Sequence, residues 1–174
     1  MNELNIFTNF YKEIFGDILS LDSIDQNIII CHQVNCKGIM NAGLALQIKE
    51  KFPEVYKSYS QLCESVENSK DLLGEALIID TCSNYSNIAI ANIFGQEGYG
   101  KEGVYTDYNA LKNAFSNLRE IIINSYDKKK TIVRIPKFIG CGHGGGDWTI
   151  VFEIIVNELI KKNVPVEIWT INRE

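Results

Sequence analysis

Five of the chain's 13 glycines fall in the ten residues Ile139–Trp148, which read IGCGHGGGDW. Within them Gly140, Gly142 and Gly145 satisfy G-x-G-x-x-G, a spacing that brings backbone N–H groups close to the phosphates of a dinucleotide. The segment reads as strand, glycine loop, Asp147 as N-cap, then helix. Free N–H groups at such a loop, aided by the helix dipole, suit a phosphate or diphosphate. A flexible turn is the plain alternative, but the glycines at 142 and 144–146 would then lose conformational entropy for no return. A P-loop is excluded, because no lysine and hydroxyl follow Gly146. A Rossmann turn fails on position: it should open the first βαβ unit and be followed by an acid at the end of the next strand. Here the loop lies near the C-terminus, and Glu167 falls inside the run Val-Glu-Ile-Trp.

A second loop of the same kind lies far away in the chain. The stretch His32–Ala45 follows a buried strand and precedes a helix, and Ala42, Gly43 and Ala45 let backbone come close to a ligand. Two strand–loop–helix units of this sort would clamp a diphosphate from both sides, which is the geometry of an ADP-ribose site.

The elements that must position these loops follow from hydrophobic patterning. Apolar runs predict buried strands over Asn27–His32, Ala76–Asp80, Ile88–Phe94, Ile132–Ile135 and Val164–Ile171, with a further one near Ile6–Ile18. Tyr108, Leu111, Phe115, Leu118 and Ile122 form one helical stripe, and Trp148, Val151, Phe152, Ile155 and Leu159 another. Asn163 and Pro165 stop the second. Leu44–Lys51 and Phe52–Glu64 read as a helix and a second, short helix joined at Pro53. This order predicts one domain over 1–174, a three-layer α/β/α sandwich on a mixed sheet.

Composition narrows the partners. A length of 174 residues with 45% apolar content supports a core, and the net charge is −5. The one basic run, Lys128-Lys129-Lys130, reads as a solvated loop, so nucleic acid is not an expected partner. No stretch reaches the roughly 18 apolar residues of a membrane span, and no secretory leader is visible. Cys31, Cys36, Cys63, Cys82 and Cys141 are odd in number and lack a C-x-x-C pair. A cytoplasmic monomer without metal or cofactor is expected.

At this point the sequence resembles a macrodomain, most of all the branch of ADP-ribose 1″-phosphate phosphatases from yeast, phage and bacteria. A more distant likeness is to the terminal ADP-ribose protein glycohydrolase. The resemblance is carried by Phe15–Leu19, His32–Ala45, Ala91–Gly100, Tyr105–Tyr108 and Ile139–Trp148, in the expected order. It implies that Asp17, followed by Ile18, accepts a hydrogen bond from the adenine amino group, and that Asn35 lies beside the distal ribose. It places Ala42, Gly43, Leu44 and Ala45 in the first diphosphate loop and Gly142, His143, Gly144, Gly145 and Gly146 in the second. Asn41 stands where relatives often carry glycine.

For chemistry, the glycohydrolase branch is associated with a lysine after the central strand and an aspartate in the second loop. This chain has Gln96 at the first place and His143-Gly144-Gly145 at the second. The phosphatase branch is associated with a histidine opening the first loop, matched by His32, and an aspartate, for which Asp107 is the candidate. Such a pair could orient or deprotonate a water attacking phosphorus. The alternatives are a strand-end histidine and a helix-capping acid. The resemblance thus implies a hydrolase that releases ADP-ribose and phosphate, with a binding module for ADP-ribose, or an ADP-ribosyl hydrolase acting on a macromolecule, as alternatives.

Overall fold

The computed structural model describes residues 9–21, 26–81, 87–100, 102–127 and 130–171. Part of the expected Ile6–Ile18 segment, together with Cys82, Lys128 and Lys129, lies outside them. The elements are β1 (Tyr11–Phe15), β2 (Asn27–Asn35), α1 (Gly43–Lys51), α2 (Pro53–Ser65), β3 (Ala76–Asp80) and β4 (Ile88–Gln96). They continue with α3 (Tyr108–Ser125), β5 (Thr131–Pro136), α4 (Trp148–Glu158) and β6 (Val166–Thr170).

The strands form one sheet in the order β1-β6-β5-β2-β4-β3. All neighbours are parallel except β3, which runs antiparallel to β4. Alternation along β2 sends Ile28 and Ile30 to one face, against Ile48, Phe52 and Val55 of the α1–α2 segment. Ile29 and Cys31 point the other way, into a cluster with Leu111, Phe115 and Leu118 of α3 and Val151 and Ile155 of α4. The result is the expected mixed three-layer sandwich. All nine residues of β4 are buried, which explains an apolar run without alternation.

Three details differ from the sequence reading. β2 and β4 run on through Asn35 and Gln96, because these polar residues pair with each other across a bulge at Val34/Asn35. The second helix is not short: α2 has 13 residues against nine for α1, and Pro53 starts it at a position that needs no N–H. β6 begins only at Val166, after Asn163 has taken the left-handed conformation at φ 59°. Among the described residues no helix is long and apolar enough to cross a membrane.

The topology fixes where a ligand can sit. From β2 the chain crosses one face through α1 and α2, whereas from the adjacent β5 it crosses the other through α4. A crevice therefore opens at the carboxyl ends of β2 and β5, the usual ligand position in α/β sheets.

Candidate functional site

A cleft of about 580 Å³ occupies that crevice. Its walls come from the ends of β2 and β4, from Asn41–Ala45, and from Pro136–Gly140 with Gly142–Gly144. The volume suits a small molecule. Although the chain carries 22 acidic residues, no carboxylate lines the cleft among the described residues, and Lys137 is the one lysine or arginine among them there. Burial holds the thiols of Cys36 and Cys141 up at about 12 and about 11, so neither supplies a thiolate at neutral pH.

The backbone supplies most of the donors. α1 begins with Ala42 as N-cap, without a side-chain cap and without an acid in its first turn. The N–H groups of Gly43, Leu44 and Ala45 are thus left for a ligand, at the positive end of the helix dipole. Across the cleft, the N–H groups of Gly142, His143 and Gly144 find no acceptor among the described residues. The two helices are not equivalent, because α4 is capped by Asp147, which accepts from Thr149 N at 2.7 Å. Of the two, α1 is the helix whose N-terminus has no side-chain cap.

The glycines divide by surroundings. A Cβ on Gly142 would meet nothing within 4 Å, whereas one on Gly140 would lie 2.5 Å from Gln33 Oε1. One on Gly144 would overlap Gly140 O and Thr106 Oγ1, and one on Gly145 would lie 2.6 Å from Gly103 O. Much of the glycine content therefore serves packing beneath the loop, not approach to a ligand. Asn41 is not in the left-handed region, so it strains nothing where a glycine was expected.

Asn35 lines the cleft, yet its amide organises the turn that follows it. Its Oδ1 accepts from Lys37 N at 2.9 Å and Ile39 N at 3.3 Å, and its Nδ2 donates to Ile39 O at 2.7 Å. One Nδ2 hydrogen remains for a ligand.

His32 is 2% exposed, on the same wall. Its Nε2 lies 2.8 Å from Asn92 Oδ1, and Asn92 in turn donates from Nδ2 to Leu77 O at 3.2 Å. Asn92 Oδ1 is therefore the acceptor, Nε2 carries the proton, and the buried Nδ1 keeps a lone pair with no partner among the described residues. Burial pushes the pKa of His32 down to about 4, against a smaller upward effect of Asn92. The unfolded chain thus binds a proton that the native state refuses, and the stability due to neutral His32 is complete above pH 6.5 and lost as pH falls toward 4. Urea titrations should show wild type losing on the order of 3 kcal/mol more than His32→Gln across that window. Equal acid sensitivity of the two proteins would reject a buried neutral imidazole.

The structure brings together His32, Asn35, Asn41, Ala42, Gly43, Leu44, Ala45, Gly142, His143 and Gly144 around one cleft. Gly145 and Gly146 lie behind its wall, where Gly145 N donates to Gly142 O and Gly146 N to Gly140 O. Asp17 is exposed beyond the end of β1, with Oδ1 accepting from Leu19 N at 2.9 Å, and Ile18 is in the core. Asp107 is the N-cap of α3, accepting from Ala110 N at 2.9 Å, and does not line the cleft. The pairing of His32 with Asp107 is not formed. Lys137, Phe138, Gln33 and Tyr99 line the cleft without having been singled out. Lys137 and Phe138 directly follow β5, a position that the strand-end rule could have flagged. Phe138 takes φ 67°, rare for a side chain of its size, and packs edge-on against Trp148 at 5.5 Å between ring centres.

A family profile described as the Macro domain matches residues 31–155. An ADP-ribose 1″-phosphate phosphatase from Debaryomyces hansenii is 26% identical, over 92% of this chain and 99% of its own. A DNA ADP-ribosyl glycohydrolase from Mycobacterium tuberculosis is 28% identical over 82% of this chain, but the match takes in 36% of that protein's length. The macrodomain of Mycobacterium tuberculosis DarG has the same fold, with a TM-score of 0.72 at 23% identity, covering 92% of this chain and 99% of that one. With both loops of the cleft inside the matched segment, the chain belongs to the Macro domain family.

Proposed function

We propose that the protein is a hydrolase acting on an ADP-ribose derivative, with ADP-ribose 1″-phosphate as substrate and ADP-ribose and phosphate as products. The observation that carries this reading is a cleft that, among the described residues, has no carboxylate on its walls and lies between two sets of unpartnered N–H groups, with Lys137 beside them. Such a site favours an elongated dianion. The relative from Debaryomyces hansenii, matched along nearly its whole length, bears the corresponding name. Asp17, at the same end of the sheet, is the group assigned to the adenine amino donor.

In this reading the His32 Nδ1 lone pair orients the attacking water. The water oxygen bonds to phosphorus, the bond from phosphorus to the 1″ oxygen breaks, and the water's proton passes through Nδ1 to the departing oxygen. Asn92 keeps the imidazole in the one tautomer that leaves the buried Nδ1 as an acceptor.

A second reading, a module that binds ADP-ribose without turnover, draws on a specific observation. His32 is held near pKa 4, and among the described residues no acid lines the cleft to assist it. Removal of ADP-ribose from a macromolecule has less support, because Gln96, at the place of the associated lysine, is neutral and already bonded to Gln33 and Gly98. Phosphate release from ADP-ribose 1″-phosphate, measured beside a calorimetric titration with ADP-ribose, separates these readings. Release together with product binding is the expected result. Binding without release identifies the module, and no binding removes both.

A further inference from the structure

We infer that Gln33 and Thr106 form a latch beneath the second glycine loop, and that this latch sets the distance between the two phosphate-binding loops. Both are then positioning residues for the ligand. The inference rests on the reading of the cleft proposed above.

The side chains of His32 and Gln33 alternate across β2, so Gln33 points to the face of α3 and α4, beneath the second loop. Its Nε2 donates to Gln96 Oε1 at 2.7 Å and to Thr106 Oγ1 at 2.9 Å. The amide orientation is fixed, because Gln96 uses its own Nε2 to donate to Gly98 O at 2.7 Å. Thr106 passes the connection on, donating from Oγ1 to Gly140 O at 2.7 Å. The backbone repeats it: Tyr105 N and Thr106 N both donate to Gly144 O, at 2.8 and 3.0 Å. Asp107 N anchors the same segment to β4 through Gly95 O at 2.8 Å. The second loop is thus suspended at Gly140 and Gly144 from residues 105–106, and Gln33 ties those residues to β2, the strand that carries the first loop.

The surroundings of Gln33 show how closely this connection is built. A Cβ on Gly95 would lie 2.6 Å from Gln33 Oε1, and one on Gly140 would lie 2.5 Å from it. Two glycines from distant strand ends therefore admit one amide. The carbonyl end of that amide is buried and has no hydrogen-bond partner. A leucine would avoid that cost, so the position is held for the Nε2 bonds. What those bonds fix is the loop whose N–H groups at Gly142, His143 and Gly144 stay unpartnered toward the ligand. Donors preorganised by rigid contacts bind without first losing freedom.

Thr106→Val keeps the shape of the side chain and removes its donor. Hydrogen exchange and calorimetry on Thr106→Val and Gln33→Leu test the latch. In both variants the hydrogen-bonded amides of Cys141, Gly145 and Gly146, and those of Tyr105 and Thr106 that hold Gly144 O, should exchange at least about tenfold faster. ADP-ribose affinity should fall by about tenfold, the size expected for one hydrogen bond. Affinity for adenosine, which has no diphosphate, should stay the same, and Thr106→Ser should restore wild-type behaviour. Unchanged exchange and affinity in folded Thr106→Val would overturn the latch. So would equal losses for adenosine and ADP-ribose with a lower melting temperature. If Gln33→Leu does not fold, Thr106→Val and Thr106→Ser decide alone. A wild-type protein that ignores ADP-ribose would strike only at the proposed function, because exchange reads the latch without ligand.

Discussion

His32→Ala is expected to lower turnover of ADP-ribose 1″-phosphate by about 10²–10⁴-fold, the usual contribution of a positioned base. The lower end of that range is favoured, because a base of pKa about 4 takes a proton from water less readily than one poised near neutrality. ADP-ribose affinity should change little, since the proposed diphosphate donors belong to the α1 N-terminus and the second loop. The pH dependence provides an independent check. A free histidine would give an acid limb near pH 6.5, whereas burial moves the limb of His32 down toward 4. Turnover, affinity and melting temperature should be read on the same variant. Wild-type turnover in His32→Ala would remove the residue from the mechanism. A joint fall in stability and affinity, with no selective kinetic effect, would make it a strand-end histidine held by Asn92.

Much of this arrangement is legible in the residues themselves. The strands show as apolar runs because β2 and β4 are covered on both faces, and the helices show as stripes because α3 and α4 are covered on one. The two glycine and small-residue loops mark the carboxyl ends of β2 and β5, and the structure places them across one cleft. What the sequence conceals is the use of individual polar atoms. Asn35 looks free to meet a ribose, but most of its amide is engaged by Lys37 and Ile39. Asp107 looks like a partner for His32, but it starts a helix. Gln33 attracts no notice, because its partners Gln96 and Thr106, and Gly140 beyond them, come together only when the sheet assembles. Local pattern reports burial and turns; it does not report which of two neighbouring polar side chains reaches the ligand.

The same distinction gives the second large effect. Gly142→Val should leave melting temperature nearly unchanged while ADP-ribose affinity falls by at least about 100-fold. A Cβ at this position meets nothing in the protein, and its φ is not in the left-handed region, so the fold has no reason to resist the change. The branched side chain would instead stand in the cleft beside the unpartnered N–H groups of Gly142, His143 and Gly144. Losing one or two hydrogen bonds to a charged phosphate costs about 1.5–3 kcal/mol each, which is the basis of the expected loss. Gly144→Val should behave otherwise. Its Cβ overlaps Gly140 O of the suspended loop and Thr106 Oγ1, which holds that loop, so stability should fall by about 1–3 kcal/mol together with binding. Gly145→Val adds backbone strain at φ 67° to a 2.6 Å approach to Gly103 O, and should be at least as unstable. Thermal melts and ADP-ribose titrations on the three variants make the comparison. Full affinity in folded Gly142→Val would mean that no diphosphate passes this loop, and the assignment of the cleft would fail with it.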